Sequence, residues 1–155
     1  MAYLDWKDEL NTGIGVIDRQ HRRIVDYINQ LHEITQGDSD TSTVDVLTAL
    51  VDYTLSHFAF EESLLEEAGY PQHASHVRTH DAFRNRIFDF RERARQGEDV
   101  AAPLLELLRD WLFDHIAHED ARYVPVVSTQ MSRLEHREQG GWMRDQLKRW
   151  FGQRH

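Results

Sequence analysis

Apolar residues recur along this chain with a helical period, and no stretch alternates as a strand would. Ile24, Val25, Ile28 and Leu31 share one face of a first helix, with Asp18 expected as its N-cap. Gly37-Asp38-Ser39-Asp40 ends it. A second helix is expected from about Thr41-Ser42-Thr43, where Asp45 is spaced for a capping box on Ser42. Its stripe is Leu47, Leu50, Val51, Thr54, Phe58 and Leu65, and Gly69-Tyr70-Pro71 breaks it. The third helix runs from Gln72 or Ser75 to Gln96, with Phe83, Ile87, Phe90 and Ala94 on one face and Gly97 placed to terminate it. The fourth opens near Pro103, a residue favoured at the first helical position. It continues through Leu104, Leu105, Leu108, Trp111 and Leu112, and Pro125 is expected to end or kink it. Four long helices with short connections predict an all-α, antiparallel up-down four-helix bundle over residues 1–128.

Residues 129–155 read as a separate C-terminal helical extension. Gly140-Gly141 forms a hinge, and Trp142, Met143, Leu147, Trp150 and Phe151 then fall on one helical face. Charge separates the two parts as well. The chain carries −9, but from Arg133 onward basic residues exceed acidic ones by three, which leaves −12 on the rest. The acidic body excludes a nucleic-acid binder, which needs a basic face. No apolar run approaches membrane-span length, and the acidic start lacks the apolar core of a signal peptide. A cytoplasmic monomer is the expectation.

The chain has 155 residues with ten histidines and no cysteine. Thiolate metal sites and thiol catalysis are therefore excluded, leaving imidazole and carboxylate as metal-binding chemistry. The histidines fall on the apolar stripes. His21 precedes Ile24, Val25 and Ile28 by helical steps. His57 and Glu61 lie one turn apart on the stripe of Thr54, Phe58 and Leu65. His76 and His80 lead into Phe83 and Ile87, and His115 extends Leu108, Trp111 and Leu112. Each of the four helices thus turns at least one imidazole inward. Buried ionisable groups are costly unless paired or metal-bound, so a metal site in the bundle core is the better reading. On the fourth helix the partner of His115 stays open. Glu119 at i+4 shares its face, whereas Asp120 at i+5 lies about 140° around an ideal helix. His118 and His73 are further competitors. His32, His136 and His155 read as surface residues, as does His118 on its own.

The set Ile17-Asp18-x-Gln20-His21, His57-Phe58-x-x-Glu61-Glu62, His76-x-x-x-His80 and Trp111-Leu112-x-x-His115-Ile116-x-x-x-Asp120 resembles the hemerythrin family, in its stand-alone bacterial form. Trp6 resembles part of that family's N-terminal arm. The resemblance implies a non-haem di-iron centre that binds O2 reversibly. It implies that His76, His80 and His115 hold one iron, that His21 and His57 hold the other, and that Glu61 and Asp120 bridge them. It therefore selects Asp120 over Glu119, and this requires a widened turn or π-bulge between 115 and 120. With a bridging oxide or hydroxide, as the family has, these ligands fill every position but one of two six-coordinate irons. The open position falls on the His21/His57 iron and is the implied O2 site.

Ile24, Leu112 and Ile116 match positions that line the family's O2 pocket, and Phe58 packs there. None of them donates a proton, so no catalytic residue is expected and an oxygen carrier, store or deliverer is favoured over an enzyme. The alternatives are a di-iron oxidase or a peroxide- or nitric-oxide-handling enzyme on the same scaffold, and an O2 or iron sensor acting through a separate partner. A bundle without metal would have to bury five histidines and two acids uncompensated. Tyr123, three residues beyond Asp120, is placed to touch the ligands or simply to pack. For the 142–151 segment three roles are open: a helix covering the bundle, a dock for an oxygen-consuming enzyme, or contact with an anionic membrane surface.

Overall fold

The computed structural model describes residues 3–37, 43–136 and 141–152. Helices are α1 (Gly15–Thr35), α2 (Thr43–Ala68), α3 (His73–Arg95), α4 (Ala101–Asp114), α5 (Ala121–His136) and α6 (Gly141–Phe151). A short 3-10 turn (Asp8–Leu10) precedes them, and a π turn (His115–Asp120) joins α4 to α5 in one rod. No strand occurs among the described residues. Ser42, Gly140 and His155, together with the His136 side chain, lie outside the described residues, so the expectations placed on them stand apart from the structure.

Two apolar clusters show how the helices run. One contains Ile24–Leu31 of α1, the first part of α2 to Phe58, Phe83–Phe90 of α3 and Leu104–Ile116 of the last rod. The other contains Ile14–Ile17, the end of α2 from Phe60, and Tyr123, Val127 and Leu134. Successive helices cross from one cluster to the other in alternating directions, which is the up-down bundle. The histidines His21, His57, His76, His80 and His115 fall at the seam between the clusters. The N-terminal arm closes one flank. Asn29 exchanges hydrogen bonds with the backbone of Leu4 at 2.7 and 2.8 Å.

Several helix ends differ from the sequence expectation. α1 begins at Gly15, with Ile14 as N-cap. Asp18 sits inside the first turn and reaches back, accepting from the Thr12 N–H and hydroxyl (2.8 Å each) and the Gly13 N–H (3.1 Å). It ties down the approach to the helix rather than capping it, and its charge still complements the helix N-terminus. α4 opens two residues before Pro103. Proline is tolerated there because first-turn N–H groups have no helical acceptor. Pro125 neither ends nor interrupts the rod, which continues to His136. α3 stops as expected. Gly97 takes φ +91°, and the N–H groups of Gly97 and Glu98 bond to the carbonyls of Ala94 and Arg93. Only glycine adopts that conformation at low cost.

The extension lies against the bundle. α6 packs on α2 and α5, burying Phe151 against Tyr53 and Phe60 with ring centroids 5.0 and 6.1 Å apart. Residue 128, where the sequence reading divides the chain, falls within α5. Deleting residues 130–155 exposes this surface and removes the buried Leu134 and Phe151. The expected loss is about 5 kcal/mol, and a calorimetric melting temperature lower by about 10–20 °C. An unchanged melting temperature with lost liposome or partner binding would identify a docking segment instead. Among the described residues no helix is long and apolar enough to cross a membrane.

Candidate metal centre

Five imidazoles and two carboxylates meet at the seam between the apolar clusters, each at most 2% exposed. His21 comes from α1, His57 and Glu61 from α2, His76 and His80 from α3, and His115 and Asp120 from the two ends of the π turn. Their atoms form two groups, each within metal-ligand reach. One holds His76, His80, His115 and Glu61, and the other holds His21, His57 and Glu61.

The carboxylates span both groups. Glu61 Oε1 lies 2.5 Å from His76 Nε2 and 3.2 Å from His80 Nε2, while Oε2 lies 3.3 Å from His57 Nε2. Asp120 Oδ1 lies 3.0 Å from His115 Nε2 and 3.6 Å from His76 Nε2, while Oδ2 lies 3.1 Å from His21 Nε2. Each carboxylate therefore presents one oxygen to the three-histidine group and the other to the two-histidine group.

The π turn brings Asp120 into the cluster. In a regular helix, Asp120 would point about 140° away from His115. The wider turn inserts one residue and swings Asp120 back over His115. Glu119 is carried outward to 32% exposure, 3.8 Å from Arg122. His118 is 67% exposed and bonds back to Asp114. His73 stands outside both groups, and His32 is half-buried, stacked on Tyr3 at 4.4 Å.

Surrounding residues orient the rings. The Nδ1 atom of His57 meets Gln20 Oε1 at 2.7 Å, and that of His80 meets Glu62 Oε2 at 2.7 Å. Arg84 donates to that same Glu62 oxygen at 2.7 Å. With Nδ1–H donating, each ring turns an Nε2 lone pair toward the centre. Phe58 stacks on His80 at 4.1 Å, and Trp111 stacks on His115 at 4.6 Å. The fully buried Tyr123 donates its hydroxyl to Glu61 Oε2 at 3.1 Å. Gln20, Glu62 and Arg84 were given no role from sequence. Gln20 and Glu62 are 37 and 18 residues from the rings they orient, separations that leave no local signal.

Electrostatics bind this cluster together but leave it incomplete. Burial pushes the Glu61 carboxyl upward, yet the close-set imidazoles of His115, His57, His76 and His80 hold it well below the usual range. Burial lowers His57. For His115 burial also acts downward, but the Asp120 charge and its contacts with Asp120 and Glu61 outweigh it and raise the ring to about 10. Burial and the Glu61 charge push the Tyr123 phenol well up, so it stays a hydrogen-bond donor. Even so, His21 Nε2, His57 Nε2 and both Asp120 oxygens are buried with no hydrogen-bond partner. The Nε2 atoms of His80 and His115 face each other at 3.2 Å. Converging lone pairs in a dry interior are stable only around cations, and imidazole with carboxylate suits first-row divalent metals.

The Ile24, Leu112, Ile116 and Phe58 side chains are all buried in the first apolar cluster. Phe58 lies on the three-histidine side, through its stack on His80.

Comparisons with known proteins agree with this arrangement. Residues 12–127 match the family described as "Hemerythrin HHE cation binding domain". A bacteriohemerythrin of Pseudomonas aeruginosa is 50% identical over 153 residues, 98% of this chain and 100% of that protein. One from Stenotrophomonas maltophilia is 45% identical with the same coverage. A crystal structure of wild-type hemerythrin superposes with a TM-score of 0.77 at 32% identity, covering 82% of this chain and 99% of that one. Family profile, near full-length relatives and bundle geometry together place this chain in the hemerythrin family.

Proposed function

We propose that the chain binds O2 reversibly at a non-haem di-iron centre, as a carrier, store or deliverer of oxygen. His76, His80 and His115 would hold one iron and His21 and His57 the other, with Glu61 and Asp120 shared between them. The observation that carries this reading is that both carboxylates turn one oxygen to each histidine group. A bound iron pair supplies the electrons that O2 takes up and returns. The protein's own side chains set the rest. Three imidazoles would saturate one metal position more fully than two would the other, which supports an O2 site on the His21/His57 side. Tyr123 and Gln20 fix Glu61 and His57 by hydrogen bonds.

The function is binding rather than catalysis because Ile24, Leu112 and Ile116 offer no acid or nucleophile to a ligand there, and Phe58 offers none on the three-histidine side. They keep water out, which protects a reversible complex. Residues 1–128 form the oxygen-binding unit and 129–155 its extension. The protein acts as a cytoplasmic monomer, and the 142–151 segment offers a surface for an oxygen-consuming enzyme or an anionic membrane.

Anaerobic reduction followed by air, with iron counting, tests the proposal. Two irons per chain are expected, with visible bands on aeration that vanish on degassing. Fewer than two irons, zinc alone in fresh protein, or repeated turnover with a reductant would overturn it. Substitution at Leu112 tests the pocket. Leu112→Asp brings a charge and water to the metals, and it is expected to speed autoxidation by about tenfold or more, on the scale of perturbing a metal's surroundings. Leu112→Tyr is expected to shift O2 affinity. Unchanged autoxidation and affinity in both variants would remove Leu112 from the pocket.

A further inference from the structure

The seven cluster residues are sealed from solvent, so an ion must reach them through a gap between helices. One surface cleft has a cluster residue in its wall. It lies between the start of α3 and the π turn, holds about 320 Å³, and is lined by Tyr70, Gln72, Ser75, His76, Glu119 and Arg122. At about 30 Å³ per water, a ferrous ion with about six waters fits within that volume.

We propose that this cleft is the route by which Fe2+ reaches the centre, with Glu119 capturing the ion at the mouth and His76 receiving it. The inference rests on the di-iron reading above. Glu119 is suited to capture and not to retention. Its carboxylate is a good ligand for a ferrous ion, it is partly exposed, and Arg122 stands 3.8 Å away, beyond hydrogen-bond reach. An incoming cation can displace that guanidinium, which then favours the ion's departure inward. His76 lies next, its Nε2 within 2.5 Å of Glu61 and 3.6 Å of Asp120, so the first imidazole an ion meets is already beside both bridging carboxylates. The π turn gives consecutive carboxylates two tasks, with Glu119 facing the cleft and Asp120 facing the centre.

The test uses the full-length chain. Anaerobic Fe2+ uptake by metal-stripped protein is timed by iron counting, and release from loaded protein is timed with a ferrous chelator. Glu119→Gln removes the capturing charge, and Ser75→Trp narrows the cleft. Both positions are on the surface, so both variants are expected to fold. The expected result is uptake and release slowed by about tenfold in each, on the scale of perturbed metal surroundings, with the same final two irons. Exchange at the wild-type rate in both variants would overturn the route alone. A wild-type chain that never takes up two irons would overturn the di-iron reading, and the route with it.

Discussion

Metal-stripped protein is expected to melt about 15–30 °C below the loaded form, by the usual conversion of stability to melting temperature for a chain of this size. The reason is the composition of the seam. Without cations, the unpartnered atoms of His21, His57 and Asp120 stay buried. Metal binding by such preorganised ligands is itself folding free energy, amounting to about 5–10 kcal/mol for partial loss of the site's stabilisation. Scanning calorimetry of the same preparation before and after chelation measures it, with recovery on adding back Fe2+. A shift under about 3 °C would mean that the seam is satisfied without metal.

Removing the carboxylate shared by the two histidine groups is expected to have the largest effect on metal content. Glu61→Ala leaves the four imidazoles grouped around it without their common anion, and the Tyr123 hydroxyl without its acceptor. Breaking a buried charge network in this way costs about 3–5 kcal/mol, and iron affinity is expected to fall by more than about 100-fold. Glu61→Gln separates charge and bridging from packing. An amide of the same shape offers only one oxygen, so it serves one histidine group and not both. The expected content is at most one iron per chain, with no oxygenated spectrum. Retention of two irons by Glu61→Gln would show that Glu61 does not bridge.

How much of this was legible in sequence depends on how far each feature reaches along the chain. His57 with Glu61, and His76 with His80, sit one helical turn apart, so periodicity alone placed each pair on one face. His21 and His115 were legible because apolar residues at helical steps mark the same face. Asp120 was not readable that way. Regular helix geometry favours Glu119, and only the family resemblance selected Asp120 before the π turn was seen. The first helix begins before the Asp18 cap expected for it, at Gly15. Side-chain bonds reaching backward, as from Asp18 to Thr12, imitate a cap signal four residues too late.

By itself the sequence determined the all-α class, the four inward faces, the nitrogen and oxygen donor set and, through its motif, the family. These depend on residue type and local spacing, which helical periodicity translates directly into orientation. Tertiary structure decided what depends on distance between helices. It showed that each carboxylate addresses both histidine groups, that Gln20 and Glu62 orient rings far away in the chain, and that α6 lies on α2. It also decided that a single π turn sends Asp120 inward and Glu119 to the cleft, because a one-residue change in helical register depends on which side chain the opposing helices stabilise.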